Sequence, residues 1–129
     1  MREEKISESL FLIYLGGKSK ASNIELHDIR WIVAKSIEET FTQLKKEWFG
    51  DKKGLHIDSY LRIKYIDGYE IRIKKSIEGK GEVSSNEKKL WFVNLGGYNP
   101  SELTEKHFID LLVASSSSKA KEIAKSKWK

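Results

Sequence analysis

The chain has 129 residues, a net charge of +5, 39 % hydrophobic and 11 % aromatic residues, and no cysteine. That much apolar sequence supports a packed core and excludes a disordered polymer. The missing cysteines exclude a disulfide framework, a thiolate metal site and a cysteine nucleophile. The N-terminus Met-Arg-Glu-Glu-Lys-Ile-Ser-Glu has no apolar signal core, and the longest apolar run, Leu10–Leu15, is too short to cross a bilayer. A soluble cytoplasmic protein is the expectation. From Lys119 onward there are five lysines and one glutamate, so the basic character sits at the end of the chain and the body is nearly neutral.

In chain order, Leu10–Leu15 closed by Gly16-Gly17 predicts a strand buried on both faces and ended by a backbone-permissive pair. A polar loop, Lys18–Asn23, leads into an alternating segment. His27, Ile29, Trp31 and Val33 point one way there, Leu26, Asp28, Arg30 and Ile32 the other. The residues eighty further on, His107, Ile109, Leu111 and Val113, keep the parity of the first set, which is therefore the expected core face. Ser36-Ile37-Glu38-Glu39 then has the form of a capping box. Ile37, Phe41, Leu44 and Trp48 follow at helical spacing, with Gly50 as the expected left-handed stop. Leu55–Ile66 and Tyr69–Lys75 flank Asp67-Gly68, the pair that a type I′ hairpin turn demands. Leu55, Ile57, Leu61 and Ile63 share one expected face; His56, Asp58, Tyr60 and Arg62 share the other. Ile77–Lys89, rich in Gly and Ser, reads as a linker.

An offset of eighty then returns the first segment. Leu10, Leu15, Gly16, Gly17, Glu25, His27, Ile29, Val33, Ala34, Ser36, Lys45 and Trp48 meet identical residues at Leu90, Leu95, Gly96, Gly97, Glu105, His107, Ile109, Val113, Ala114, Ser116, Lys125 and Trp128. Chance would give roughly two or three identities, so a tandem repeat is expected. The expected fold is α+β, a repeat of a strand–strand–helix(–strand–strand) unit. Its sheet is mostly antiparallel, with helices on one side and an approximate internal two-fold. Residues 1–79 form a complete first repeat, and 80–129 a linker and a second repeat that stops after its helix. The strand Lys106–Ala114, lacking a hairpin to cover it, leads to the expectation of a homodimer through the second repeat.

Several ordered motifs carry a resemblance. They are the Leu-Gly-Gly strand end, Asn23–Asp28, Ser36–Glu39, Trp48–Asp51, Gly54–Ser59 and Asp67-Gly68-Tyr69. Together they resemble the bacterial proteins grouped as domain-of-unknown-function family 1543. The resemblance implies a small α+β protein with one or two copies of the unit and carries no activity, so it transfers no catalytic residue. A second copy in that family can continue past its helix, which this one does not.

Chemistry has few places to reside. Gly17-Lys18-Ser19 ends like a phosphate loop, but Leu12 stands where the first glycine belongs. Gly16-Gly17 and Gly96-Gly97 can still turn N–H groups toward an anion near Lys18. His27, with Asp28 beside it, and its repeat partner His107 are candidates for ligand contact. His56 and Asp58, two apart on a strand, share a face but supply only two ligands, which makes no metal site. No cofactor is implied. Three function classes follow. The first is a non-catalytic binding or protein-interaction module; the second is a small-ligand or anion binder, or an enzyme, at the Gly-Gly loops with those His and Asp residues. The third, nucleic-acid binding through the basic C-terminal helix, lacks the aromatic ladder such sites use. No partner membrane is expected.

Overall fold

In the computed structural model, which describes residues 7–74 and 87–128, the apolar run forms strand β1 (Ser9–Gly17) and the alternating segment β2 (Leu26–Ala34). A single 3-10 turn, Glu38–Thr40, leads into helix α1 (Phe41–Glu47), and β3 (His56–Ile63) follows. The hairpin is β4 (Tyr65–Ile66) and β5 (Tyr69–Glu70). Then come β6 (Lys89–Gly97), β7 (Lys106–Ala114) and helix α2 (Ser117–Lys127). The fold is α+β with antiparallel pairing, as expected. Lys75 and most of the linker Ile77–Lys89 lie outside the described residues. No described helix is long and apolar enough to cross a membrane.

The chain divides into two compact units. One ends at Lys64 and resumes over Glu70–Lys74; the other takes Tyr65–Tyr69 and the chain beyond Lys74. In the first unit β1 is central, in the order β2-β1-β3. In the second, β6 pairs with β7 in the register of β1 with β2 displaced by eighty: Ser9 faces Ala34, and Lys89 faces Ala114. Among the described residues β6 takes one partner strand where β1 takes two. In this two-stranded pairing β6 and the Lys106–Ala114 strand each keep one edge without a partner strand among the described residues. On the latter strand, the Val113 N–H donates 2.8 Å to the Asp67 carboxylate at the hairpin tip. Asp67 and Gly68 both have the positive φ of a type I′ turn, 51° and 81°.

The first core gathers Phe11, Ile13 and Leu15 of β1, Ile32 and Ala34 of β2, and Leu44 and Trp48 at the helix. This reverses the expected parity of β2. Trp31 is 56 % exposed and Val33 is exposed too, while Ile32 and Ala34 are buried. The physical reason is that the helix covers the less apolar face. The charged members of that face are satisfied: Arg30 Nε donates 3.1 Å to Asp28, and its guanidinium lies 3.7 Å from Glu47 of α1. The second unit makes the same choice, burying Leu112 and Ala114 against Ala120 and Ala124 of α2. Those two alanines let the helix lie close to the strands.

Other local expectations shift as well. Ser36 makes no capping bond; the Glu39 carboxylate instead accepts from the Lys35 N–H at 3.1 Å. Its counterpart Ser116 does cap, accepting from the Lys119 N–H at 3.2 Å. Phe41 leaves the stripe for solvent, and Thr40 is buried in its place, donating 2.6 Å to the Ile37 carbonyl. Along β3 the register slips opposite Tyr14 and Leu15: Ser59 pairs with Tyr14, Ile57 with Leu15, and Asp58 is extra. This bulge reverses facing along the strand. Leu55 and Ile57 pack on the core, whereas Leu61 is 60 % exposed, and Tyr60 and Arg62 lie against Phe11.

The paired glycines are extended strand residues rather than left-handed, and Gly50 too lies outside the positive-φ region. They are required for space. A Cβ on Gly17 would stand 2.6 Å from Trp48 Cζ2, and one on Gly97 2.6 Å from Trp128 Cη2. Gly50 is closed in likewise by the Lys18 carbonyl, 2.8 Å from such a Cβ. Trp48 is 6 % exposed and its indole N–H donates 3.0 Å to the Asp51 carbonyl. Trp48→Ala is therefore expected to cost about 3–5 kcal/mol, and Gly17→Ala about 1–3 kcal/mol by overpacking. Urea unfolding of both variants checks this; a Trp48→Ala loss below about 1 kcal/mol contradicts the packing.

Candidate functional site

The bulge in β3 and the Gly-Gly end of β1 meet at one place. Gly16 pairs with His27 on one side and His56 on the other. A Cβ on Gly16 would lie 2.7 Å from Glu25 Oε1, 2.7 Å from His56 Nε2 and 2.9 Å from Asp58 Oδ2. Glycine leaves the room in which these side chains converge. His56 Nε2 stands 2.9 Å from Glu25 Oε1 and 3.0 Å from Asp58 Oδ1. His27 Nε2 lies 3.6 Å from Glu25 Oε2, and its Nδ1 3.5 Å from Asp58 Oδ2. The Tyr14 ring stacks on His27 at 5.1 Å, nearly parallel.

Each histidine is oriented through a backbone carbonyl. His27 Nδ1 is 3.2 Å from the Leu15 oxygen, and His56 Nδ1 is 2.8 Å from the Gly54 oxygen. A carbonyl only accepts, so the ring nitrogen facing it carries the proton. At His56 both nitrogens then face acceptors, and imidazolium is the form that satisfies them. Its pKa is accordingly raised above the ordinary imidazole value. The Gly54 carbonyl contributes most, against partial desolvation, followed by Asp58 and Glu25.

Two cavities share the His56 wall. A polar cleft of about 470 Å³ is lined by Lys18, Ser19, Ser22, Asn23, Glu25 and Gly54 besides His56. A smaller pocket of about 230 Å³ is lined by Leu15, Phe41, Leu44, Lys45, Leu55 and Ile57 with His56. Gly54, at φ +88°, makes the turn that brings the chain from Lys53 into β3. Among the described residues no group of three or more His, Asp or Glu side chains is placed to hold a metal ion.

Of the residues singled out from the sequence, Gly16, His27, His56 and Asp58 come together, with Gly17 and Lys18 beside them in the cleft wall. Asp28 does not join them: it lies on the helix face with Arg30 and accepts the Ile29 N–H at 2.8 Å. In the second unit Glu105 crowds Gly96, and His107 Nε2 is 3.7 Å from Glu105, with no strand there carrying counterparts of His56 and Asp58 among the described residues. Gly96 and Gly97 face Glu105 and Trp128 respectively, and β6 hydrogen bonding to β7 uses their strand backbone. Sequence reading missed Glu25 as a site residue. The signal was present in its identity with Glu105 beside the repeated His and Gly.

A family model for a Domain of Unknown Function (DUF1543) matches residues 22–73, a span holding Glu25, His27, His56 and Asp58. A solved structure, described as the crystal structure of a protein Il1583 from Idiomarina loihiensis, is 40% identical; the match covers 94% of this chain and 72% of that one, with a TM-score of 0.74. The chain belongs to the DUF1543 family. No curated protein matches it.

For this DUF1543 chain the His56 geometry sets a pH dependence. Because the folded pKa is raised, the stabilisation is complete below the unfolded value of about 6.5 and is lost as pH rises through the folded value. NMR titration of the imidazole is expected to place His56 above about 6.5, with Glu25→Gln or Asp58→Asn lowering it. The destabilisation caused by His56→Ala should shrink from mildly acid to alkaline pH. A midpoint at or below the free imidazole value refutes the assignment.

Proposed function

We propose that the protein is a small-ligand-binding module whose site is the cleft at the Gly16-Gly17 end of the first unit. The observation that supports this reading most is the convergence of Glu25, His27, His56 and Asp58 beside a cleft of about 470 Å³. Those four groups come from two separated segments, Glu25 with His27 and His56 with Asp58, and Gly16 on a third leaves the space where they meet. Structural ion pairs on a small sheet have no need of a glycine-cut recess next to a cavity. Charged groups that converge in a concavity are the usual mark of a binding site. The anion nest expected of the Gly-Gly pair is not the means, since Gly16 lies within the strand ladder on both sides. Side chains of the two loops, Lys18–Glu25 and Gly54–His56, do the recognising.

A ligand that binds only the native state must raise its melting temperature. A thermal-shift screen of nucleotides, sugars and organic acids is expected to yield compounds that stabilise the wild type. The gain should be lost in His56→Ala and retained in Asp28→Asn, a residue on the opposite face. A screen in which every stabilising compound acts equally on His56→Ala sinks this reading.

A second reading, of self-association, rests on the β6 edge. β6 carries one charge, Lys89, and no proline over nine residues, and it pairs on one side only among the described residues. An edge so lightly blunted is a template for another strand, and two copies can pair β6 with β6 antiparallel across a two-fold axis. Light scattering at micromolar concentration is expected to give about 30 kDa, twice the 14.9 kDa chain mass. A mass that stays at the single-chain value sinks it.

A further inference from the structure

The two cavities that share His56 differ in chemistry, and that difference specifies a ligand. This inference rests on the cleft being a binding site and narrows what it binds. The smaller pocket, between α1 and the start of β3, is walled by Leu15, Phe41, Leu44, Leu55 and Ile57. At about 230 Å³ it exceeds the roughly 150 Å³ of an apolar cavity that takes benzene. The cleft, which His56 also lines, is bounded by Lys18, Ser19, Ser22 and Asn23.

The charges decide the sign of the polar end. Glu25 and Asp58 are already engaged with His56 and His27. The hydroxyl of Ser22 is spent on the Ser19 carbonyl and accepts the Ser19 N–H. Lys18 and Lys45, which line the cleft and the pocket, are in no ion pair among the described residues, and the Asn23 amide has no hydrogen bond there. The His56 ring has both N–H groups occupied, and the residue lines both cavities. The unused donors are therefore two ammonium groups and an amide, next to an apolar slot.

We propose that the first unit binds a small amphiphilic carboxylate, its ring or short alkyl body in the pocket under α1 and its carboxylate reaching past His56 to Lys18 and Asn23. A purely polar anion would leave the apolar pocket unfilled. An uncharged amphiphile would leave the ammonium groups without a partner. A cation would meet carboxylates already in contact with the two imidazoles.

Three matched probes test it on the full chain by calorimetry and amide NMR at neutral pH: hexanoate, hexan-1-ol and acetate. Hexanoate is expected to bind and to shift amides in 18–25 and 41–57, with hexanol and acetate each at least about tenfold weaker, the scale of one charge-assisted contact or a few buried methylenes. Lys18→Ala, on an exposed side chain, should weaken hexanoate at least about fivefold and leave hexanol unchanged. Phe41→Ala should weaken hexanoate and leave acetate unchanged. Equal binding of hexanoate and hexanol, equal binding of hexanoate and acetate, or no hexanoate binding overturns the proposal. If hexanoate fails while another compound stabilises the protein through His56, only this proposal falls. If no compound acts through His56, the cleft reading falls with it.

Discussion

A strand end can lie beneath an indole on one face and a cluster of imidazole and carboxylate side chains on the other only if it offers no Cβ to either. Both constraints fall on adjacent residues here. Gly17 leaves room for Trp48, and Gly16 leaves room for Glu25, His56 and Asp58. Because successive residues of a strand point to opposite faces, one glycine serves the core and the other the His–carboxylate cluster. The helix end, the turn after it and the His–carboxylate cluster all take their positions from this pair. Trp48 in turn fixes the following loop through its bond to the Asp51 carbonyl, and the Asp51 N–H donates 2.7 Å to the Lys18 carbonyl at the cleft.

The second unit shows which part of this is general to the unit and which part is special to the first. Gly97 still accommodates an indole, and Trp128 stacks on Phe108 at 5.9 Å. Gly96 still faces a glutamate, and His107 still stands near it. The core device is thus present in both units, while the His–carboxylate cluster is complete in one among the described residues. What completes it is β3, whose bulge at Asp58 sets two polar side chains against the Gly-Gly end. The basic helix α2 carries one of its lysines back to the sheet: Lys127 donates 3.0 Å to Asp110, and that hydrogen bond raises the ammonium pKa.

The exposed face of the first sheet also follows from the helix position. Trp31, Val33 and Leu61 are exposed there while the helix covers the face with Asp28 and Arg30. A chain that places its more apolar strand face away from its own helix has a different balance from a sheet with one wet side. The ion pairs among Asp28, Arg30 and Glu47 make the covered face tolerable, since each charge at its margin has a partner.

The sequence by itself determined the elements and their order. Period-two and period-3.6 patterns are local properties, so the strands, the helices and the Asp67-Gly68 turn were legible, and so was the offset of eighty that places β6 and β7. His27 and the glycines stood out because each occurs twice, and Glu25, repeated at Glu105, carried the same signal. Tertiary structure alone decided which face of β2 and β7 is covered, because both faces of the strand are apolar enough to be buried and only the helix chooses. It also decided the bulge, which no periodicity announces, since one extra residue reverses every side chain beyond it. The meeting of Glu25 with His56 and Asp58 likewise depends on β3 pairing with β1 across all of residues 18–55, a contact that pattern cannot encode.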